Sequence, residues 1–151
     1  MSDARWEAVL DRVFELTVLL GRDMAENLAR DGLTESRAAL VWELHRRGPC
    51  TQRELADALN VTPRTVTALV DGLESTGFVA REPHPSDRRA TLVTLTRQGQ
   101  ASGRAFVAGK RRLARALFSD LSPDVLDGLD VGLDQVVERL RTVLAARTPP
   151  G

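Results

Sequence analysis

The sequence predicts a mainly α-helical fold that carries one small β-hairpin. Apolar residues recur at spacings of three and four over most of the 151 residues, which is the period of amphipathic helices. The period changes only over 78–95, where two β-rich runs flank a proline-containing turn, as in a hairpin.

The two ends of the chain are predicted to be long amphipathic helices. The first covers 3–30 and is ended by Gly32, and the last begins at Ser122-Pro123. The last helix repeats its apolar residues at a strict three-four spacing, which is typical of a coiled-coil seam. We interpret both apolar stripes as a dimer interface made of Trp6, Leu10, Val13, Leu126, Leu129, Leu133, Val136 and Leu140.

Three shorter helices are predicted between these ends. The second begins after the N-cap Thr34, and the third opens on the capping box Thr51-Gln52-Arg53-Glu54. The fourth has Thr62 as N-cap and Pro63 at its first position. The residues expected to be buried on the third and fourth helices are Leu55, Ala56, Leu59, Val66, Leu69, Val70 and Leu73.

A hairpin over 78–81 and 91–95 follows the fourth helix, and the prolines of its loop should keep the loop out of the ladder. A basic helix with several glycines is expected from Arg97 to Phe118.

The charges cancel in number but not in position. The chain has 21 basic and 21 acidic residues, yet no acidic residue occurs between Asp87 and Asp120. This pattern favours a basic face on a neutral molecule. The alternative, for Lys110 to Arg115, is a solvated helix whose cations pair with the acidic ends of the chain.

Cysteine content and hydropathy indicate the compartment. The single cysteine excludes an internal disulfide, which is usual in a reducing cytosol. The charged first residues lack the apolar core of a signal peptide, and no apolar run approaches the roughly 20 residues that span a bilayer. We therefore expect a cytoplasmic location.

The third and fourth helices have the pattern of a helix-turn-helix, in which the second helix needs one apolar face and one small or polar face for a major groove. The candidate DNA-contacting residues of this recognition helix are Thr62, Pro63, Arg64, Thr65, Thr67 and Ala68. Arg64 has the donor geometry to read guanine, and the threonines can contact a base edge or a phosphate. The exposed hairpin tip with Asp87, Arg88 and Arg89 strengthens this interpretation.

In combination, these motifs resemble the MarR family of winged helix-turn-helix transcriptional regulators. The resemblance covers roughly the middle half of the chain. The matching pieces are Leu33-Thr34, Glu54-Leu55-Ala56, Val61-Thr62, Thr65-Val66-Thr67, Leu73-Glu74, Gly77, Asp87-Arg88-Arg89, Leu95-Thr96 and Gly99.

The resemblance implies a homodimer whose two recognition helices enter successive major grooves of a pseudo-palindromic operator. It makes Arg89 of the wing the minor-groove residue, Asp87 its orienting partner and Arg88 a phosphate contact. It also implies a repressor that a small aromatic or lipophilic ligand releases. Many relatives carry basic residues where this chain has Ala68 and Gly72, so Arg64 and the wing are expected to supply more of the DNA contacts.

The implied domain organisation places dimerisation helices at 1–32 and 119–147 around a winged helix-turn-helix domain at 33–97. A connecting helix occupies 98–118, and a disordered tail occupies 148–151.

Four residues are candidates for an effector pocket: Phe14, Trp42, His45 and Arg46. The alternative is that these residues lie on a partly exposed helix at an interface. No catalytic arrangement, metal-ligand spacing or cofactor motif is recognisable, so we expect neither an enzyme nor a metal or cofactor. Two alternative functions stay open, a winged-helix module that binds protein and an oxidant sensor that uses Cys50, although a structural role for Cys50 is favoured.

Overall fold

The computed structural model describes residues 3–147, so the predicted disordered tail lies outside the described residues. The elements, in chain order, are α1 (Asp3–Arg30), α2 (Glu35–Arg47), β1 (Cys50–Thr51), α3 (Gln52–Leu59), α4 (Pro63–Ser75), β2 (Val79–Pro83), β3 (Thr91–Leu95), α5 (Arg97–Phe118) and α6 (Pro123–Arg147). The mainly helical fold with a small β wing is confirmed. The chain forms two compact units, whose described parts are residues 3–107 and 108–147.

Threonine caps set where three of the helices in the first unit begin. Thr34, Thr51 and Thr62 precede α2, α3 and α4, and each side-chain oxygen accepts an N–H from the first turn. The capping box at Thr51 is complete, because Glu54 also accepts the Thr51 N–H at 2.7 Å. Asn60 then takes the left-handed conformation (φ 52°) at the end of α3, which suits a short asparagine and turns the chain into α4.

The strands form one antiparallel sheet in the order β1-β3-β2. The hairpin is where the sequence predicts it, but two details differ. The two-residue strand β1 was not predicted, and it pairs Cys50 with Val93. The ladder also includes Pro83, opposite Thr91, contrary to expectation. Proline is tolerated there because β2 is an edge strand and Pro83 is its last residue.

One hydrophobic core lies between α2, α3, α4 and the sheet. Among the described residues its fully buried large side chains are Leu40, Leu44, Leu55, Leu73, Val41, Val66, Val70, Val79 and Val93. Leu59 and Leu69, expected to be buried, are only partly buried at the margin of this core. Each lies at the edge of its helix's apolar face, so solvent reaches one side.

The glycines early in α5 allow close packing in the first unit. A Cβ on Gly99 would collide with the carbonyl oxygen of Phe78, and one on Gly103 would collide with the ring of His45. Both residues are buried. Gly99 therefore lets the first turn of α5 pack directly against the backbone at Phe78, just after α4, and Gly103 lets the next turn pack against α2.

The long terminal helices contribute little to this core. Within α1 only Leu28 is buried, and no described residue of α6 is buried. No helix among residues 3–147 is long and apolar enough to cross a membrane.

Candidate nucleic-acid interface

The recognition helix α4 separates an apolar face from an exposed one. Val66, Val70 and Leu73 are buried in the core. On the other face, Arg64, Thr65, Thr67 and Ala68 are exposed, as the sequence predicts for a groove-binding surface. The N-cap Thr62 accepts the Thr65 N–H at 3.2 Å, and the two hydroxyl oxygens lie 2.9 Å apart. These bonds fix the first turn. Pro63 has no N–H and the Val66 N–H bonds the Thr62 carbonyl at 3.1 Å, so at most the Arg64 N–H of that turn remains for a phosphate.

A hydrogen bond that the sequence did not predict links α3 to α4. The hydroxyl hydrogen of Thr67 is shared between the Gln52 side-chain oxygen at 2.9 Å and the Pro63 carbonyl at 3.0 Å. Thr67 is exposed and Gln52 is half-buried. Gln52 therefore holds α3 and α4 in a fixed relation and limits Thr67 to accepting hydrogen bonds from a ligand.

The tip of the wing is organised by its backbone and two side chains. The Nδ1 atom of His84 accepts N–H groups from Ser86 at 3.2 Å and Asp87 at 3.1 Å. The carboxylate of Asp87 accepts the Arg89 N–H at 2.9 Å, and the Ala90 N–H bonds the Asp87 carbonyl at 3.1 Å. His84 was not among the predicted site residues, because its contact becomes visible only once the turn closes.

Asp87 does contact Arg89, but through the backbone. No ion pair joins Asp87 to the Arg89 guanidinium within residues 3–147. Asp87 shapes the turn on which Arg89 sits and leaves that side chain extended into solvent. The guanidinium groups of Arg64, Arg88 and Arg89 are all exposed and take part in none of the ion pairs of the described chain.

Arg81 is neutralised beside the recognition helix. It bonds Asp71 at 2.5 Å and also pairs with Glu74, so one cation of the wing strand uses both carboxylates of α4. The hydrogen bond to Asp71 and the charge of Glu74 raise the pKa of Arg81. These pairs attach the wing to α4, and the single positive charge of Arg81 offsets one of the two negative charges on a surface that faces an anion in the predicted role.

The predicted dimer-interface residues form exposed apolar faces in the single chain. Trp6 and Leu10 are exposed on α1, and Val13 is half-buried. Leu126, Leu129, Leu133, Val136 and Leu140 are all exposed on α6.

Of the predicted effector residues, two are brought together. The rings of Trp42 and His45 lie 6.0 Å apart on α2. Arg46 instead pairs with Glu43 at 2.6 Å, and Phe14 is exposed on α1. Burial raises the pKa of Glu43, but the hydrogen bonds from Arg46 and Arg47, together with the charges of both arginines, lower it overall. A separate cavity of about 230 Å³ between α1 and α2 is lined by Gly21, Met24, Ala25, Leu28, Leu33, Thr34 and Glu35.

Cys50 is a buried residue of the sheet. It is 6% exposed, and burial, followed by the charge of Glu54, raises the pKa of its thiol. A raised pKa leaves little of the reactive thiolate at neutral pH, which weighs against oxidant sensing. Within residues 3–147 no three His, Cys, Asp or Glu side chains converge as a metal site would require.

A capped helix-turn-helix followed by an arginine-tipped hairpin defines a winged helix-turn-helix protein. A model of the MarR family matches residues 33–91. The transcriptional repressor YetL of Bacillus subtilis is 32% identical over 133 residues, covering 85% of this chain and 78% of YetL. The chain therefore belongs to the MarR family of transcriptional regulators, and the resemblance and the non-enzymatic class inferred from sequence agree with this.

Solved structures share the fold. Streptococcus pneumoniae FabT, in a crystal structure with DNA, has a TM-score of 0.78 at 18% identity, with 94% of this chain and 99% of FabT covered. RV1404 from Mycobacterium tuberculosis has a TM-score of 0.77 at 25% identity, with 87% and 92% covered.

Proposed function

We propose that this protein is a homodimeric, sequence-specific DNA-binding repressor. The observation that carries the proposal is the set of three exposed arginines, Arg64, Arg88 and Arg89, none of them in an ion pair of the described chain, on α4 and the wing. Unpaired guanidinium groups on two adjacent elements are suited to an extended anion. The repressor YetL, to which the chain is similar, supports the direction of control.

Each element has a distinct role in the proposed complex. α4 enters a major groove, where Arg64 reads a base edge and Thr65 and Ala68 contact methyl groups or phosphates. Arg88 contacts the backbone, and Arg89 enters the adjacent minor groove, whose narrow A·T segments attract a guanidinium. The Asp87 carboxylate fixes the turn that presents both wing arginines.

The exposed apolar faces of the terminal helices support the proposed homodimer. α6 exposes Leu126, Leu133 and Leu140 at heptad spacing, and α1 exposes large apolar side chains as well. Monomers rarely expose contiguous apolar faces of this kind, so a second copy is the natural cover. Two copies place two recognition helices on one duplex, which a pseudo-palindromic operator requires.

The proposal is tested by fluorescence anisotropy with labelled duplexes. A duplex enriched by the protein from a random-sequence library is compared with its scrambled version at low and moderate salt. We expect tighter binding to the enriched duplex by about 10³-fold or more at moderate salt. Equal affinity for both duplexes at both salt concentrations would refute the sequence-specific repressor.

Release by a small aromatic or lipophilic ligand is the finer part of the proposal. The Trp42 and His45 rings lie on α2, which packs against both α3 and α4. A ligand at these rings that favours one placement of α2 would shift the placement of α4. Benzoate and decanoate are suitable probes. In a Trp6→Phe background, binding should change Trp42 fluorescence and weaken DNA affinity together. If neither probe changes Trp42 fluorescence or DNA affinity, the proposal that a small aromatic or lipophilic ligand releases the protein from DNA is contradicted.

A further inference from the structure

The exposed face of α4 has a gap in its positive charge. Arg64, Ala68 and Gly72 follow one another at intervals of four, so they form one stripe along the helix. Only the first of them carries a charge. Ala68 and Gly72 leave the rest of the stripe without a cation of its own.

A side chain from another helix occupies the space above Gly72. A Cβ placed on Gly72 would lie 2.5 Å from Nη2 and 3.0 Å from Cζ of Arg37. Arg37 lies in the first turn of α2, where its N–H donates to the N-cap Thr34 at 3.3 Å. Its guanidinium therefore rests on the recognition helix at the position that lacks a side chain, and Gly72 is the residue that permits this approach.

Arg37 and Arg64 share one open groove. That groove is lined by Arg37, Arg64, Thr65, Ala68 and Leu69. Two guanidinium groups from two helices thus face the same surface, which includes three of the residues assigned to DNA contact.

The two arginines that flank α4 differ in their partners. Arg81, on one side, is bound by Asp71 and Glu74. Arg37, on the other side, makes no ion pair and donates no side-chain hydrogen bond within residues 3–147. A half-buried arginine with no anionic partner among the described residues is suited to an external anion, and its planar donors match a phosphate.

We propose that Arg37 binds a backbone phosphate of the DNA beside the groove that α4 occupies, and that it supplies the cation missing at positions 68 and 72. The inference rests on the proposed function and deepens it. A phosphate contact fixes the position of the protein on DNA and carries no base information, so Arg37 serves affinity and placement rather than sequence choice.

The first test is the salt dependence of Arg37→Ala. We expect affinity to fall by about 5- to 10-fold on the library-enriched duplex and on its scrambled version alike, and the slope of log K against log salt to lose about 1.8, which is about 0.9 for each of the two subunits of the proposed dimer. Arg22→Ala removes an equal charge from an exposed position of α1 and should leave both quantities unchanged. Arg37→Lys keeps the charge and should restore the slope. Circular dichroism confirms that each variant is folded.

The second test is a double-mutant cycle with Gly72→Ala. The added Cβ displaces the Arg37 guanidinium and raises helix propensity, so the fold is retained. Gly72→Ala should weaken binding when Arg37 is present and have no effect in the Arg37→Ala background. Equal effects in both backgrounds would overturn the proposed role of the pair.

The two proposals fail in different ways. An unchanged slope and affinity for Arg37→Ala, with the unmodified protein still preferring its enriched duplex, overturns the inference about Arg37 alone. If the unmodified protein enriches no sequence, the proposed function fails. The slope of log K against log salt on a random duplex, compared between the unmodified protein and Arg37→Ala, still shows whether Arg37 contacts a phosphate. Absence of any DNA binding overturns both.

Discussion

The winged helix and the terminal helices use similar apolar side chains in opposite ways. In the described chain, every buried hydrophobic residue of the core lies between Leu28 and Val93. The large exposed hydrophobic residues lie on α1, at Leu117 of α5, and from Leu121 to the end of α6. The first region completes its core within one chain, and the second does not.

This difference separates folding from assembly. The winged helix buries its leucines and valines against its own sheet and helices, so its stability should not depend on protein concentration. α6 has no buried residue of its own, so its apolar face gains little unless a second surface covers it. The recognition helix and the wing thus belong to a region that completes its own core, while the proposed dimer would depend on the apolar faces of the terminal helices.

The largest expected effect comes from the core. Leu40 is fully buried, and Leu40→Ala should lower the free energy of unfolding by about 2–5 kcal/mol, because the removed methyl groups leave a cavity. Urea unfolding at two protein concentrations measures this, and the loss should be the same at both. A loss below about 1 kcal/mol would show that this region does not hold the core.

The next effect concerns assembly. Leu133→Glu places a carboxylate on the α6 seam of each copy, and burying it unpaired costs several kcal/mol, so dimers should dissociate. Gln135→Glu adds the same charge to an exposed position off the seam and should leave dimers intact. Sedimentation velocity distinguishes the two variants. An unchanged dimer for Leu133→Glu would contradict the seam.

A smaller effect is expected from substitutions in the wing, which should weaken DNA binding and leave both regions folded. Arg89→Ala should weaken binding to the enriched duplex by about 1–3 kcal/mol and reduce the preference for A·T pairs at the minor-groove positions. Arg88→Ala should weaken binding to all sequences alike, because its contact is a phosphate. Titration of both variants at matched salt checks this. Identical sequence profiles for the two variants would contradict the assignment.

The smallest effect concerns the cap of α3. The backbone N–H and then the hydroxyl of Thr51 lower the pKa of Glu54 by donating to its carboxylate. This carboxylate therefore stabilises the fold above its unfolded pKa, and the contribution is lost as pH falls through the lowered folded pKa. Glu54→Gln keeps the hydrogen-bond geometry and should cost about 0.3–1 kcal/mol at pH 7. Urea unfolding from pH 7 to 3 should show the two proteins converging in acid, and a constant difference would exclude the charge as the cause.

Local signals predicted the helices well. Both ends of α1 and α5 and the caps at Thr34, Thr51 and Thr62 fall where the sequence places them. These features depend on residues within one or two turns, through apolar spacing, capping oxygens and glycine or proline stops. The family and the mainly helical winged fold follow from the same local motifs read together.

Contacts between distant residues were not predictable in this way. β1 has only two residues and owes its existence to pairing with Val93, more than 40 positions along the chain. The bonds of Thr67 with Gln52 and of Arg81 with Asp71 join separate elements. Gly72 looked like a missing charge in the sequence, and only the folded chain shows Arg37 above it.

The most direct test of the account is the symmetry of the DNA that the unmodified protein selects from a random library. A dimer that presents two winged helices predicts an inverted repeat whose half-sites are centred about 10 base pairs apart, with A·T-rich pairs where Arg89 enters the minor groove. Selection of a single half-site without a repeat, or of no sequence at all, would contradict it.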